Sequence, residues 1–373
     1  MAIPSLQGVS DELRDRVMRR YRWIRERIPI ETGNYPYVTA RVKAKRASLL
    51  PQETYERLLL MELPEIARFL GEREYKAQML ALGAKYSGVD LIEYAVSRNL
   101  AETYNRIYEF SEGSLRAMVG RYLDRYDLEN IKTIVRAKTY GASVEEVEED
   151  LISAGSFSEE FLDRLVEMPS LDEVFEELSG TIYAAALGIL KKKPSQVTNW
   201  SEWEDLVSRL YYAQLLASIP PATEANRFMR EFIQREIDIL NLKTLLRAWT
   251  AKATFEREIF LEGGYELPVD ELRELVTLDK PALVRRLQDY SFYEDIADAL
   301  EKVEESGIGV LVRRVEKIHL LGAARYAHLH PLSILPILDF IVRKDREAIN
   351  IRLIARGKES GLPLGTIRDL LVV

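Results

Sequence analysis

Apolar positions along this chain recur at i, i+3, i+4 and often i+7, and alternation of period two is hard to find. That spacing belongs to one face of an α-helix, so the pattern predicts an all-α protein. Three segments share wording as well as spacing: Asn130-Ile-Lys-Thr-Ile-Val-Arg136-Ala137, Asn241-Leu-Lys-Thr-Leu-Leu-Arg247-Ala248 and Asn350-Ile-Arg-Leu-Ile-Ala-Arg356-Gly357. Read as helices, they carry the core stripes Ile131, Ile134, Val135, then Leu242, Leu245, Leu246, Trp249, then Ile351, Ile354, Ala355. The asparagines stand 111 and 109 residues apart, too far for the common solenoid repeats and far enough for a small helical unit. One unit used three times is the expected organisation.

Each phrase makes further demands. A small residue at Ala137, Ala248 and Gly357 admits a close helix neighbour, and Asn130, Asn241 and Asn350 beside the stripe can bond a neighbouring backbone and fix register. An acid stands three residues before each asparagine, Asp127, Asp238 and Glu347, at a helical angle that turns it towards the apolar side. Such an acid requires a partner or a helix N-terminus. Two cations also recur four residues apart: Lys132 with Arg136, Lys243 with Arg247, Arg352 with Arg356. Like charges at that spacing repel unless acids face them. Pairing within the same bundle is the plain reading; a shared inner surface that touches a partner is the sharper one.

A second echo supports the period. Leu63-Pro-Glu-Ile-Ala-Arg-Phe-Leu70 with Tyr75 recurs as Leu171-Asp-Glu-Val-Phe-Glu-Glu-Leu178 with Tyr183, and as Pro281-Ala-Leu-Val-Arg-Arg-Leu287 with Tyr293. Leu151–Gly155 and Leu261–Gly264 read as glycine turns ending helices, each followed by another amphipathic helix, Glu159–Val166 and Asp270–Val276. The expected division is an N-terminal extension over 1–34, then repeats over 35–167, 168–279 and 280–373. Within the extension Leu13, Val17, Tyr21, Ile24 and Ile28 share one side of a helix, opposite Arg14, Arg16, Arg19, Arg20, Arg22, Arg25 and Arg27. Thr32 to Pro36 reads as a break, and a second basic helix runs from Tyr37 to Leu50. A basic amphipathic helix suits an anionic membrane surface or an acidic groove, and it also suits packing on its own protein. Acid is plentiful in Glu145–Glu177, where Arg164 is the only cation.

Composition narrows the function. The 373 residues hold 52 Lys and Arg against 60 Asp and Glu, a formal charge of −8 that disfavours nucleic acid as a partner. With no cysteine, disulfides, thiolate metal sites and thiol catalysis are excluded. The longest apolar run, Thr181–Leu190, reads as a buried helix, far short of a membrane span. The histidines are His319, His328 and His330; at i, i+2 on a helix the last two rings diverge, and no HExxH motif or third histidine accompanies the pair. Gly307-Ile-Gly309 lacks the rest of a dinucleotide fingerprint, and no Walker lysine loop is present. No catalytic, cofactor or metal residue is assigned.

Tyr37-Val-Thr-Ala-Arg-Val-Lys-Ala, the Leu63–Gly71 block with Tyr75, Tyr126-Asp-Leu-Glu-Asn-Ile-Lys-Thr-Ile-Val-Arg-Ala-Lys and the two later asparagine phrases resemble the C subunits of archaeal A-type and bacterial V/A-type rotary ATPases, which are similar to the d subunits of the eukaryotic V-type enzymes. The resemblance spans about residue 35 to the C-terminus; residues 1–34 depart from the pattern. It implies three similar helical-bundle repeats arranged as a funnel about a pseudo-threefold axis, seated on the rotor ring of proteolipid subunits at the cytoplasmic face of the membrane. The funnel would accept the axle made by the D and F subunits and, indirectly, serve the A3B3 head. Such a part is peripheral, takes no cofactor and carries torque without chemistry of its own. Arg19, Arg20, Lys132, Lys243 and Arg352 are candidate partner contacts. The alternative from another class is an unrelated helical repeat scaffold for protein–protein interaction; a helical enzyme built on His328 and His330 is a third reading.

Overall fold

The computed structural model describes residues 33–252 and 257–373, and among them every regular element is helical. In chain order the α-helices are α1 (Tyr35–Arg46), α2 (Gln52–Leu60), α3 (Leu63–Gly71), α4 (Lys76–Leu82), α5 (Gly88–Phe110), α6 (Gly113–Leu123), α7 (Arg125–Tyr140), α8 (Val144–Asp150), α9 (Glu159–Glu167), α10 (Leu171–Glu177), α11 (Ile182–Ile189), α12 (Trp200–Ser218) and α13 (Glu224–Thr250). They continue as α14 (Val269–Leu275), α15 (Lys280–Leu287), α16 (Tyr293–Glu301), α17 (Val303–Ser306), α18 (Ile308–Leu329), α19 (Leu335–Glu359) and α20 (Leu364–Leu370). The all-α reading therefore holds for the described chain. No described helix is long and apolar enough to cross a membrane.

Local signals set the helix limits. Ser158 and Ser170 accept from the Phe161 and Glu173 N–H groups to cap α9 and α10, and Asp279 accepts from Ala282 to cap α15. At the other end of α7, Gly141 takes a left-handed conformation that a side chain would resist. Two sequence expectations shift. Tyr35 and Pro36 open α1 instead of breaking the chain, because the fixed φ of proline suits a first turn. The same helix ends at Arg46, not Leu50, which frees the Leu50 N–H for a distant carboxylate.

The packing falls into two compact units. One holds 104–230 with 33–34 and 261–263; the other holds 35–103, 231–260 and 264–373, within the described residues. In the first, α7 lies against α9, α10 and α12, and α11 packs on α12. Its core contains Ile131, Ile134, Leu165, Val174 and Trp203, all fully buried, and the Trp203 indole donates to the Tyr183 carbonyl at 3.1 Å. Each such aliphatic side chain contributes about 1.5–3 kcal/mol of burial. In the second unit α19 packs along α18 and α1, and α2 meets both α19 and α20. Here Leu242, Leu245 and Leu246 join Leu272, Leu283, Leu287, Ile296 and Leu311 in one core. The repeated stripes thus form the buried faces of α7, α13 and α19 in both units.

Candidate functional site

Three buried acids anchor equivalent junctions. Asp127 on α7 is 4% exposed and accepts from the Ser156 N–H at 2.7 Å and the Phe157 N–H at 3.2 Å, just before α9 begins. Asp238 on α13, 7% exposed, accepts from the N–H groups of Tyr265, Glu266 and Leu267 at 3.0, 2.8 and 3.2 Å, just before α14. Glu347 on α19, 3% exposed, accepts from the Leu50 N–H at 2.5 Å, just before α2. In every case the acid grips the turn that starts a short helix. The first two acids grip the chain ahead of them, whereas the third reaches back to the chain's beginning.

These turns explain two glycines. A Cβ on Gly155 would lie 2.2 Å from Asp127 Oδ1, and one on Gly264 the same distance from Asp238 Oδ1. The expectation that Leu151–Gly155 and Leu261–Gly264 end helices is corrected here. The preceding helices finish earlier, at Asp150 and Thr250, and these glycines admit a carboxylate to the backbone. Gly357 serves a close approach of another kind: its Cβ would meet Ile367 of α20 at 2.8 Å.

The asparagines fix the neighbouring stretch of chain. Asn130 donates to the Ile152 carbonyl at 2.9 Å and accepts from the Ile152 N–H at 2.9 Å. Asn350 repeats the arrangement on Val372, at 2.8 and 3.2 Å, also 22 residues downstream. An amide side chain is the group that satisfies one backbone donor and acceptor together. Asn241 is buried at the corresponding place on α13, as is Ala248, whereas Ala137 is half-buried.

The repeated cations meet a second set of acids. Arg136 clasps Glu204 of α12 through Nε and Nη2, at 2.7 and 2.8 Å. Lys243 reaches Glu316 of α18 at 2.7 Å, where Arg346 joins it, and Arg356 clasps Glu93 of α5. Lys132 bonds Glu129 at 2.9 Å, and Arg352 donates to the Ser97 hydroxyl. Arg247 is exposed and forms no ion pair among the described residues. Glu93, Glu204 and Glu316 stand 111 and 112 residues apart, a period visible in the sequence but missed there because acids are so numerous. Arg19 and Arg20 lie outside the described residues.

Electrostatics distinguish the junctions. Burial pushes the Asp127 carboxyl up to about 8, with Asp124 adding to the rise against the two backbone donors. Burial likewise raises Asp238 to about 6, against three donors. At Glu347 a buried lysine is present: Lys344 donates to Glu347 at 2.8 Å and to the Tyr75 hydroxyl at 3.0 Å, while Tyr75 donates to Glu347 at 2.6 Å. Burial and Glu347 together push the Tyr75 hydroxyl well up, so it remains a donor.

Nothing in this set is arranged for chemistry. His319 faces Glu236 and the Phe232 ring, His328 sits in the last turn of α18, and His330 lies beyond it with its ring on Tyr326. No cluster of potential metal ligands occurs among the described residues. The carboxylates of Asp127, Asp238, Glu347 and Glu204 hold backbone turns and helix-to-helix pairs of an all-helical fold.

The family model described as ATP synthase (C/AC39) subunit matches residues 38–370, and the chain belongs to that family, a family of structural stalk components that are not catalytic. The chain is similar to the C subunit of the A-type ATP synthase of Methanococcoides burtonii, 39% identical over 345 residues that cover 92% of this chain and 95% of that protein. The corresponding protein of Haloferax volcanii is 39% identical over 344 residues, 91% of this chain and 98% of its own. That of Archaeoglobus fulgidus is 33% identical over 341 residues, 91% and 96%.

Proposed function

We propose that the chain is the socket of the central stalk in a rotary A-type ATP synthase, joining the D–F axle to the proteolipid rotor ring on the cytoplasmic face of the membrane. The observation that carries this reading is the cyclic order of the junctions. Asp127 and Arg136 lead from the first copy to the turn and long helix of the second, and Asp238 and Lys243 lead from the second to the third. Glu347 and Arg356 then lead from the third back to Leu50 and Glu93 of the first. Three like units joined head to tail with a closing contact favour a ring about a pseudo-threefold axis, whose hollow suits an axle. Counted from these turns the copies would start at Leu50, Phe157 and Leu267, a helix later than residue 35 in the first and a helix earlier than 168 and 280 in the others. Torque demands stiffness, which the buried acid and amide clasps supply. The chain takes no part in ATP chemistry in this role; it couples the A3B3 head to ion flow through the ring.

The test is native mass spectrometry of the purified chain with a D–F pair and, separately, with detergent-solubilised rotor ring. One copy bound to each partner is expected. Binding to neither would leave an unrelated helical scaffold as the better reading.

A further inference from the structure

One face of α18 carries residues that the fold does not use. Leu321, Leu329 and, just past the helix end, Leu332 are 53, 63 and 69% exposed, and Lys317, Arg325 and His328 stand on the same side, at steps of three or four residues. Lys317 and Arg325 form no hydrogen bond or ion pair among the described residues. Glu316, the one acid of α18, lies on the opposite side of the helix and is taken by Lys243 and Arg346. Core packing is met elsewhere on α18, by Leu311, Val312, Val315, Leu320, Ala323 and Ala327. The repeat does not require the stripe either. With Glu316 set against Glu204 and Glu93, the places of Leu321, Arg325 and Leu329 fall on Arg209, Ala213 and Ala217 in α12 and on Arg98, Glu102 and Arg106 in α5. Single exposed leucines are ordinary, whereas three on one face among unpaired cations mark a contact surface.

The pattern defines the chemistry of what covers it. Lys317 and Arg325 are about 12 Å apart along the helix axis, too far to share one phosphate, so their complement is an extended anionic surface. A second copy of this chain would bring the same cations. A partner helix laid on the stripe would bury Arg325 between Leu321 and Leu329, at the cost of desolvating its charge. A lipid surface accepts the same alternation without that cost: leucines enter between headgroups while the long cationic side chains reach the phosphates beside them. We infer that this face of α18 rests on the anionic phosphates of a lipid surface, with Leu329 and Leu332 as the inserted corner. The contact attaches the chain to a membrane without help from another subunit. It stands whether or not the chain is the socket of a central stalk.

Because the chain has no cysteine, a single one carries a reporter. In the full chain, Leu332→Cys is labelled with a fluorophore that brightens in apolar surroundings, and Leu60→Cys, 74% exposed on α2 one turn from Glu56, is the control. Vesicles of phosphatidylglycerol and phosphatidylcholine in equal parts should brighten the label at 332 several-fold and leave that at 60 unchanged. Vesicles of phosphatidylcholine alone should brighten neither. Lys317→Gln with Arg325→Gln, changes on the outer side of the helix, should raise the lipid needed for half the response about thirtyfold, two cations at about 1 kcal/mol each. A label at 332 that stays dark, whether or not the chain sediments with the vesicles, would overturn the contact. So would equal responses at 332 and 60, or a response indifferent to the Gln pair. Brightening by the D–F pair and not by vesicles would also overturn it and assign the face to a protein partner.

Discussion

Asp127 and Glu347 hold the same place in their copies, and they solve one problem in different ways. Asp127 leans on two backbone donors and remains costly to ionise, whereas Glu347 has a buried ammonium, a tyrosine hydroxyl and a backbone donor around it. The connection explains the difference. Asp127 grips a turn on its own stretch of chain, 29 and 30 residues ahead, so little loop entropy opposes the contact. Glu347 must hold Leu50, 297 residues away in sequence, and there a fully bonded ionic cluster specifies the pairing.

The largest way to break that comparison is Lys344→Ala. It leaves Glu347 buried without its cation and should cost about 3–5 kcal/mol in urea unfolding, more than any single change at the first junction. Next comes pH. The folded-state carboxyl of Asp238 is raised from 3.8 to about 6, so its contribution to stability is full below about pH 4 and is lost as pH rises through 6, some ~3 kcal/mol in all. Unfolding free energies between pH 4 and 7 should show that decline on top of the one that Asp127 contributes, and Asp238→Asn should remove only its own share, leaving the Asp127 decline in place.

Smaller effects sharpen the picture of the turns. Gly155→Ala and Gly264→Ala should each cost about 1–3 kcal/mol because the new methyl displaces a carboxylate. Gly188→Ala, on a helix with nothing within 4 Å of the added carbon, should be neutral or stabilising by up to about 1 kcal/mol. Thermal unfolding of the three variants side by side separates space from conformation. Asn130→Ala and Asn350→Ala should cost alike, about 1–3 kcal/mol, since each loses the same pair of backbone bonds. Smallest is Arg136→Ala, whose half-exposed pair with Glu204 should contribute under about 1 kcal/mol.

The helices, the apolar stripes on α7, α13 and α19 and the family were legible in the sequence because helical periodicity is a local signal. The need of Asp127, Asp238 and Glu347 for partners was legible too, since an acid on an apolar face cannot stay bare. What each acid holds was not. The partners are backbone N–H groups, which every residue except proline carries and which therefore leave no mark on the sequence. Gly155 and Gly264 were read as turn glycines, since a glycine needed for close approach looks the same in sequence as one needed for a left-handed turn. Glu93, Glu204 and Glu316 did leave a mark, a shared period, hidden among 60 acids.

The most direct test is a side-chain-resolution map of the assembled ATP synthase. It should place one copy of this chain between the D–F axle and the rotor ring, with the Asp127, Asp238 and Glu347 junctions related by a pseudo-threefold axis along the axle. A chain located away from that axis, or junctions without threefold relation, would contradict the socket.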